Sequence, residues 1–286
     1  MELFEDKVAV ITGAGSGFGR AFAQKGAELG MKLVLADIDR RALDEVVGSL
    51  AASGAEVIGV PTDVSDGSAV EALAQRTLDA YGKVHLLFNN AGVGASGFVW
   101  EMSGNDWSWV FGVNVMGVAH GVRVFTPIML AQKEPAHIVN TASVAGLIAP
   151  PAMGVYNASK HAVVALTETL YHDLHRVGAS VGCSLLCPAF VPTGIAEAER
   201  GRPERWRNEA LPSASQLLAG REIRKAVRSG RLSADDIAEA TFDAVRANRF
   251  YVITHPAIME SVRVRHDDIE QMRMPSDPSV PPQSQA

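Results

Sequence analysis

Short apolar runs alternate with longer stretches of helical period through most of the chain. Residues 7–12 (KVAVIT), 31–36 (MKLVLA), 56–60, 84–88, 137–141 and 181–187 are brief runs rich in Val, Ile and Leu. Unbroken apolarity over such lengths predicts strands covered on both faces, as in a parallel sheet. Between them, apolar positions recur at helical spacing over 18–29, 40–53, 67–81, 105–132 and 156–176. Alternating strands and helices require parallel pairing through right-handed crossovers. The expected fold is α/β: one doubly wound parallel sheet with helices on both faces. No solenoid-type repeat interrupts the pattern.

After Pro188 the texture changes. Residues 197–231 carry many Arg and Glu and few aromatics, which predicts one or two short helices outside the sheet, a candidate cover. Ser233-Ala-Asp-Asp236 has the form of a helix N-cap, so a helix is expected to about Asn248, then a strand over 251–254. A main unit over 1–255 and a C-terminal helix with a Pro-rich tail over 256–286 follow. The end, from Met274, holds Pro275, Pro278, Pro281 and Pro282 and is expected to be disordered or loosely docked.

Composition narrows the function. The 286 residues are 47% hydrophobic and 20% charged, and a chain of this length needs no disulfide or structural metal to stay folded. A net charge of -6, from 26 basic and 32 acidic residues, argues against nucleic-acid binding. The first residues lack the basic start and apolar run of a signal peptide, and apolar runs are broken before ~18 residues, so no membrane span is expected. Cys183 and Cys187 lie four apart on an expected strand, about 13 Å, too far for a disulfide. A reduced, cytoplasmic setting is the expectation. The eight His show no zinc-ligand spacing, and no metal site is expected.

Chemistry concentrates at the expected carboxyl ends of the strands. Thr12-Gly-Ala-Gly-Ser-Gly-Phe-Gly19 lies where the first strand turns into a helix. Glycines let backbone approach a ligand, and the helix N-terminus offers free N–H groups to a diphosphate. The spacing of Gly13, Gly17 and Gly19 is not the G-x-G-x-x-G register. Asp37 ends the second strand, 18 residues after Gly19. A carboxylate there can accept the hydroxyls of an adenosine ribose and repel a 2′-phosphate, which favours NAD over NADP. Arg40 and Arg41 nearby could soften that preference. Asp63, after the third strand, is placed beside the adenine, and Asn89-Asn-Ala-Gly92 after the fourth is either an ordinary turn or a close approach to a flat ring.

Tyr156 and Lys160 stand four apart at the start of a helix, on one face, with Cβ atoms about 6 Å apart. An ammonium at ~4 Å favours a phenolate by about 4 kcal/mol at an effective dielectric of 20, or roughly three pKa units. Burial opposes this. The expected net result is a phenol near working pH, suited to general acid/base work. Ser143 ends the fifth strand on the same sheet edge, where its hydroxyl can hold a carbonyl.

With these residues together, the chain resembles the short-chain dehydrogenase/reductase family, in its subtype of about 250 residues. The resemblance covers residues 1 to about 195. It rests on Thr-Gly-x-x-x-Gly-x-Gly at 12–19, Asn-Asn-Ala-Gly at 89–92, Asn114, Ser143 and the Tyr156/Lys160 pair, in the family's order. It implies a Rossmann-type fold and catalytic roles for Asn114 (holding a water in a proton relay), Ser143, Tyr156 and Lys160. It also implies NAD contacts from Gly13, Ser16, Gly17, Phe18, Gly19, Asp37, Asp63, Val64, Asn90, Ala91, Gly92, Tyr156, Lys160, Pro188 and Thr193. One departure is Pro188-Ala189, where the family usually has Pro-Gly.

Candidate pocket walls are 94–100, 144–153 and 190–195. They are mostly apolar and free of Arg and Lys, with Ser143, Val144, Met153, Tyr156 and Phe190 the substrate contacts. They predict a hydrophobic secondary alcohol or ketone as substrate. The helix at 155–174 is apolar on more than one side, which suggests a subunit interface, and the family commonly forms tetramers or dimers. Two other readings stay open: a dinucleotide-binding sensor without chemistry, and a sugar-nucleotide epimerase-like enzyme.

Overall fold

The run at 7–12 forms β1 (Val8–Thr12), every residue buried, and its side chains alternate between two cores. The structure, a computed structural model, describes residues 3–280. On one side Ala9 and Ile11 join Phe22 of α1 (Gly17–Glu28), Leu43 of α2 (Arg40–Ala52) and Phe242 of α8 (Ala234–Arg246). On the other, Val8 and Val10 join Leu73 of α3 (Gly67–Tyr81), Phe125 of α5 (Gly117–Gln132) and Leu170 of α6 (Gly154–Arg176). A strand with apolar partners on both faces has no polar side to show, hence the unbroken apolar runs.

The seven strands are β1, β2 (Lys32–Asp37), β3 (Val57–Pro61), β4 (Leu86–Asn89), β5 (Ala136–Thr141), β6 (Val181–Cys187) and β7 (Tyr251–Ile253). They are parallel and ordered β3-β2-β1-β4-β5-β6-β7. The chain winds outward from β1 to β3 and returns beside β1 at β4, so the order reverses between β1 and β4. A crevice opens at such a point, outside the carboxyl ends of the strands.

The helix expected over 105–132 is not uniform. It runs as α4 (Gly104–Phe111), a π turn (Gly112–Met116) and then α5. By length and composition alone Gly104–Gln132 could cross a membrane, at mean hydropathy 1.3. In the fold one of its faces packs into the core: Trp109, Val110, Val118, Phe125 and Met129 are buried.

The 197–231 region is more helical than expected. Short 3-10 turns at Gly194–Gly201 and Glu204–Trp206 lead into α7 (Ala214–Arg228), which Ser213 and Gln216 start with a reciprocal capping box. Ser233 and Asp236 form the same device at α8, as the sequence predicts. The C-terminal helix is α9 (Met259–Glu270). The expected loose tail is anchored in its described part: Asp268 accepts the Ser276 N–H at 2.8 Å and pairs with Arg273. Pro281, Pro282 and the rest of the tail lie outside the described residues. Both cysteines are free and buried.

Candidate functional site

A cavity of about 1600 Å³ lies over the carboxyl ends of the strands. That exceeds the ~300–1,000 Å³ of a pocket for one small molecule. The glycine loop forms its floor. Gly13 has φ +67°, and a Cβ there would stand 2.8 Å from Ala91 Cα. Gly17 has φ +52° and faces Thr193, whose Cβ would lie 3.3 Å from an added methyl. Gly19 serves differently. A Cβ on it would strike the Gly13 carbonyl oxygen at 2.0 Å, so its role is to let the loop fold onto α1, and it does not line the cavity. Ser16 precedes α1 without capping it, which leaves the first-turn N–H groups to the cavity beside Gly17 and Phe18.

Asn90 and Ala91 hold this loop from the β4 side. Thr12 Oγ1 accepts the Asn90 and Ala91 N–H groups at 2.9 and 3.1 Å, and Asn90 Nδ2 donates to the Thr12 carbonyl at 3.0 Å. The Asn-Asn-Ala-Gly segment is thus a structural clamp and, through Asn90, Ala91 and Gly92, also cavity wall.

Asp37 reaches back to the glycine loop. Its Oδ2 accepts the Gly15 N–H at 2.8 Å and its Oδ1 the Asp39 N–H at 2.9 Å. Burial pushes its carboxyl above the usual range, while those N–H groups pull it down. Each oxygen keeps a second lone pair for a ligand hydroxyl. Arg40 and Arg41 stand apart, exposed and paired along α2 with Asp44 and Glu45. Asp63 lines the cavity with Val64, but it is already engaged: Arg205 Nη2 donates to it at 2.6 Å. These features fit a dinucleotide: a cradle that any Cβ would fill, free helix-start donors and a fixed carboxylate.

On the other side of β4 the expected catalytic residues converge. Asn114 sits in the π turn, fully buried. Its Nδ2 donates to the Val93 carbonyl at 2.9 Å and to Ser159 Oγ at 3.0 Å, and its Oδ1 accepts the Val93 N–H at 2.8 Å. Its side chain is therefore a brace for the 92–93 loop, outside the cavity wall. A Cβ on Gly92 would meet Asn114 Oδ1 at 3.5 Å and Lys160 Nζ at 3.6 Å, so all three share one corner.

Lys160 is 2% exposed and donates to the Thr141 carbonyl at 2.8 Å. Its Nζ lies 5.6 Å from the Tyr156 ring centroid. Ser143 Oγ accepts the Ala145 N–H at 3.1 Å and donates to the Pro188 carbonyl at 3.3 Å.

The titration of the pair differs from the sequence expectation. Burial pushes the Tyr156 phenol up to about 12, against a lowering hydrogen bond with Ser143. Burial likewise pushes Lys160 down to about 8. Desolvation is the largest cause of the shift for both groups. Cys187, at the end of β6, lies behind them with its thiol pushed up to about 12 by burial, and sequence reasoning gave it no place here.

Val144, Met153, Phe190, Pro188 and Thr193 line the cavity where expected. Ala189 costs nothing in place of glycine, since its φ is not in the left-handed region. The expectation of a wall free of Arg is corrected. Arg202, Arg207 and Arg224 all border the cavity. They come from 202–228, inside the candidate cover; the missed signal is the three-to-four spacing of Leu217, Gly220, Ile223 and Val227 on α7. Arg202 is buried, pairs with Asp106 at 2.7 Å, stacks over Trp109 at 4.7 Å, and leaves Nε and Nη2 without partners.

A family model of the short chain dehydrogenases matches residues 7–204. The chain is 38% identical to a CLA biosynthesis dehydrogenase/reductase of Lactiplantibacillus plantarum, covering 90% of each chain. It is 34% identical to a 1-deoxy-11-beta-hydroxypentalenate dehydrogenase of Streptomyces avermitilis, over 88% of this chain and 85% of that one. Among solved structures, a short chain dehydrogenase/reductase of Burkholderia phymatum, in complex with NAD, superposes with a TM-score of 0.96. It is 71% identical and covers 97% of this chain and 99% of that one.

Proposed function

The chain belongs to the short-chain dehydrogenase family of oxidoreductases, and from that premise we propose that it interconverts a hydrophobic secondary alcohol and its ketone with NAD(H), Tyr156 moving the proton. The observation that carries this reading is the meeting of Ser143, Tyr156 and Lys160 on one wall of a cavity whose floor fits a dinucleotide. Held in that cradle, the cofactor would supply a hydride as NADH in reduction and would accept one as NAD+ in oxidation.

The side chains do the rest. Ser143 Oγ holds the substrate oxygen. The phenol, protonated at neutral pH with its value near 12, donates as that oxygen gains charge. In oxidation the phenolate must form, and the Lys160 ammonium 5.6 Å from the ring lowers its cost. The free side chains thus favour reduction near neutral pH and oxidation at higher pH. Asn114 keeps the 92–93 loop, and so the Lys160 corner, in place. Val144, Met153 and Phe190 offer the reacting carbon an apolar wall.

Preference for NAD rests on Asp37: a carboxylate held by two backbone N–H groups cannot withdraw from a 2′-phosphate. Residues 197–231 are the substrate cover, tied to the cofactor side by Arg205 on Asp63. The intact trio weighs against a sensor without chemistry.

The test is Tyr156→Phe, followed by nicotinamide absorbance over a panel of aryl and alicyclic alcohols and ketones. Turnover is expected to fall about 10²–10⁴-fold while NADH affinity stays within a few-fold. Turnover that survives the substitution would remove Tyr156 from the chemistry.

A further inference from the structure

Arg224 is the one cationic side chain on the face of α7 that borders the cavity. Leu217, Gly220, Ile223 and Val227 share that face and are apolar. Arg224 is half-buried and makes no ion pair or hydrogen bond with any described residue. Its guanidinium lies over Gly220, where an added Cβ would stand 3.3 Å from Nη1 and 3.5 Å from Ser96 Oγ. The Ser96 hydroxyl, across the cleft on the wall loop, also makes no hydrogen bond with a described residue. Two unpartnered donors therefore face one small gap beside the apolar side chains of α7.

Glu101 and Glu197, which border the same cavity, are engaged elsewhere. Glu101 accepts the Ser213 and Ser215 hydroxyls. Glu197 pairs with Arg200 and Arg228. A half-buried guanidinium without a counter-charge is costly to keep and suits a planar acceptor.

The gap is also close to the chemistry. Gly94 packs on the Tyr156 ring, its added Cβ 3.9 Å from Cδ2. Ser96 follows two residues on, at most about 7 Å along the chain. Outside, Arg221, Arg224, Lys225 and Arg228 surround a second depression of about 470 Å³, so the basic character continues to the surface.

We infer that Arg224 and Ser96 form a subsite for an anionic head group, and that the substrate is an amphipathic anion: an apolar body with the alcohol or ketone at Tyr156 and its charge at α7. This rests on the hydride-transfer reading above and names the substrate class of that site. The anion can come from a free carboxylate or from the phosphates of a coenzyme A thioester.

The experiment compares matched substrates on the full-length enzyme with NADH. 4-Oxo-4-phenylbutanoate and oxo-octadecanoates are each assayed as free acid, methyl ester and coenzyme A thioester. An anionic form is expected to exceed the ester in kcat/KM by about tenfold to a hundredfold, the usual worth of a charge-assisted contact. Arg224→Leu should erase that advantage through KM and spare the ester; Arg224→Lys should keep part of it; NADH affinity should hold in both, reporting an intact fold. Preference for the acid identifies a carboxylate. Preference for the thioester, lost also in Arg221→Glu/Lys225→Glu, identifies phosphate. Esters that match both anions, with Arg224→Leu changing nothing, overturn the subsite and leave hydride transfer standing. No turnover of any form by the wild type, with no acid binding to the NADH complex, overturns both.

Discussion

Lys160→Met separates what the buried ammonium does for chemistry from what it costs the fold. Lys160 is 2% exposed, and burial takes its value from 10.5 down to about 8. That shift penalises the ammonium by about 3 kcal/mol in the folded chain at pH 7. Between about pH 8 and 10.5 the unfolded chain binds more protons at this residue than the folded one, so its contribution to stability rises with pH. From pH 7 to about 9.5 the relief is about 2 kcal/mol. The substitution also strips the Thr141 carbonyl of its donor, a loss of about 1–2 kcal/mol that does not vary with pH. Tyr156 and both cysteines remain in either protein and cancel in the comparison.

The assay is urea unfolding of the cofactor-free wild type and variant at the two pH values. The variant's stability relative to wild type is expected to be about 2 kcal/mol more favourable at pH 7 than at pH 9.5, with turnover reduced by orders of magnitude. A wild-type-to-variant difference that is the same at both pH values would refute the claim that Lys160 is a desolvated cation.

Two further outcomes follow from groups already placed. Asp37→Ala should lower the NAD over NADP preference in kcat/KM by about tenfold or more, read from parallel assays with each cofactor; an unchanged ratio assigns discrimination elsewhere. Arg202→Met leaves Asp106 buried without its partner and should cost about 3–5 kcal/mol in urea unfolding, with Arg202→Met/Asp106→Leu recovering part of it. Asp106 is pushed up by burial yet held below the usual carboxylate range by Arg202, Ser103 and Asn208, so a neutral result would mean the Arg202–Asp106 pair does not form.

Legibility followed the kind of force involved. The strands were readable because burial on both faces writes itself as unbroken apolar runs, as in Val8–Thr12. The glycine loop and the Tyr156/Lys160 pair were readable because each depends on local spacing. Arg224 and Ser96 are far apart in the chain, and only the return of α7 across the cavity joins them. The Asp63–Arg205 pair joins residues 142 apart in the same way. The Tyr156 value is not legible in the sequence for a related reason: two charges on a helix face can be counted from spacing, but the water removed from around them depends on Cys187, Ser143 and the other walls of the corner. The π turn at Gly112–Met116 left no mark in an apolar stretch whose period barely changes.

That turn has a rotational consequence. A π turn holds one residue more than the α ladder needs, so whatever follows Met116 is swung about 100° from where an unbroken spiral would carry it. The swing lets Trp109 and Val110 face Val155 while Phe125 and Met129, farther on, face the strands. Delete one residue between 112 and 116 and either half could keep its own partners, but not both at once.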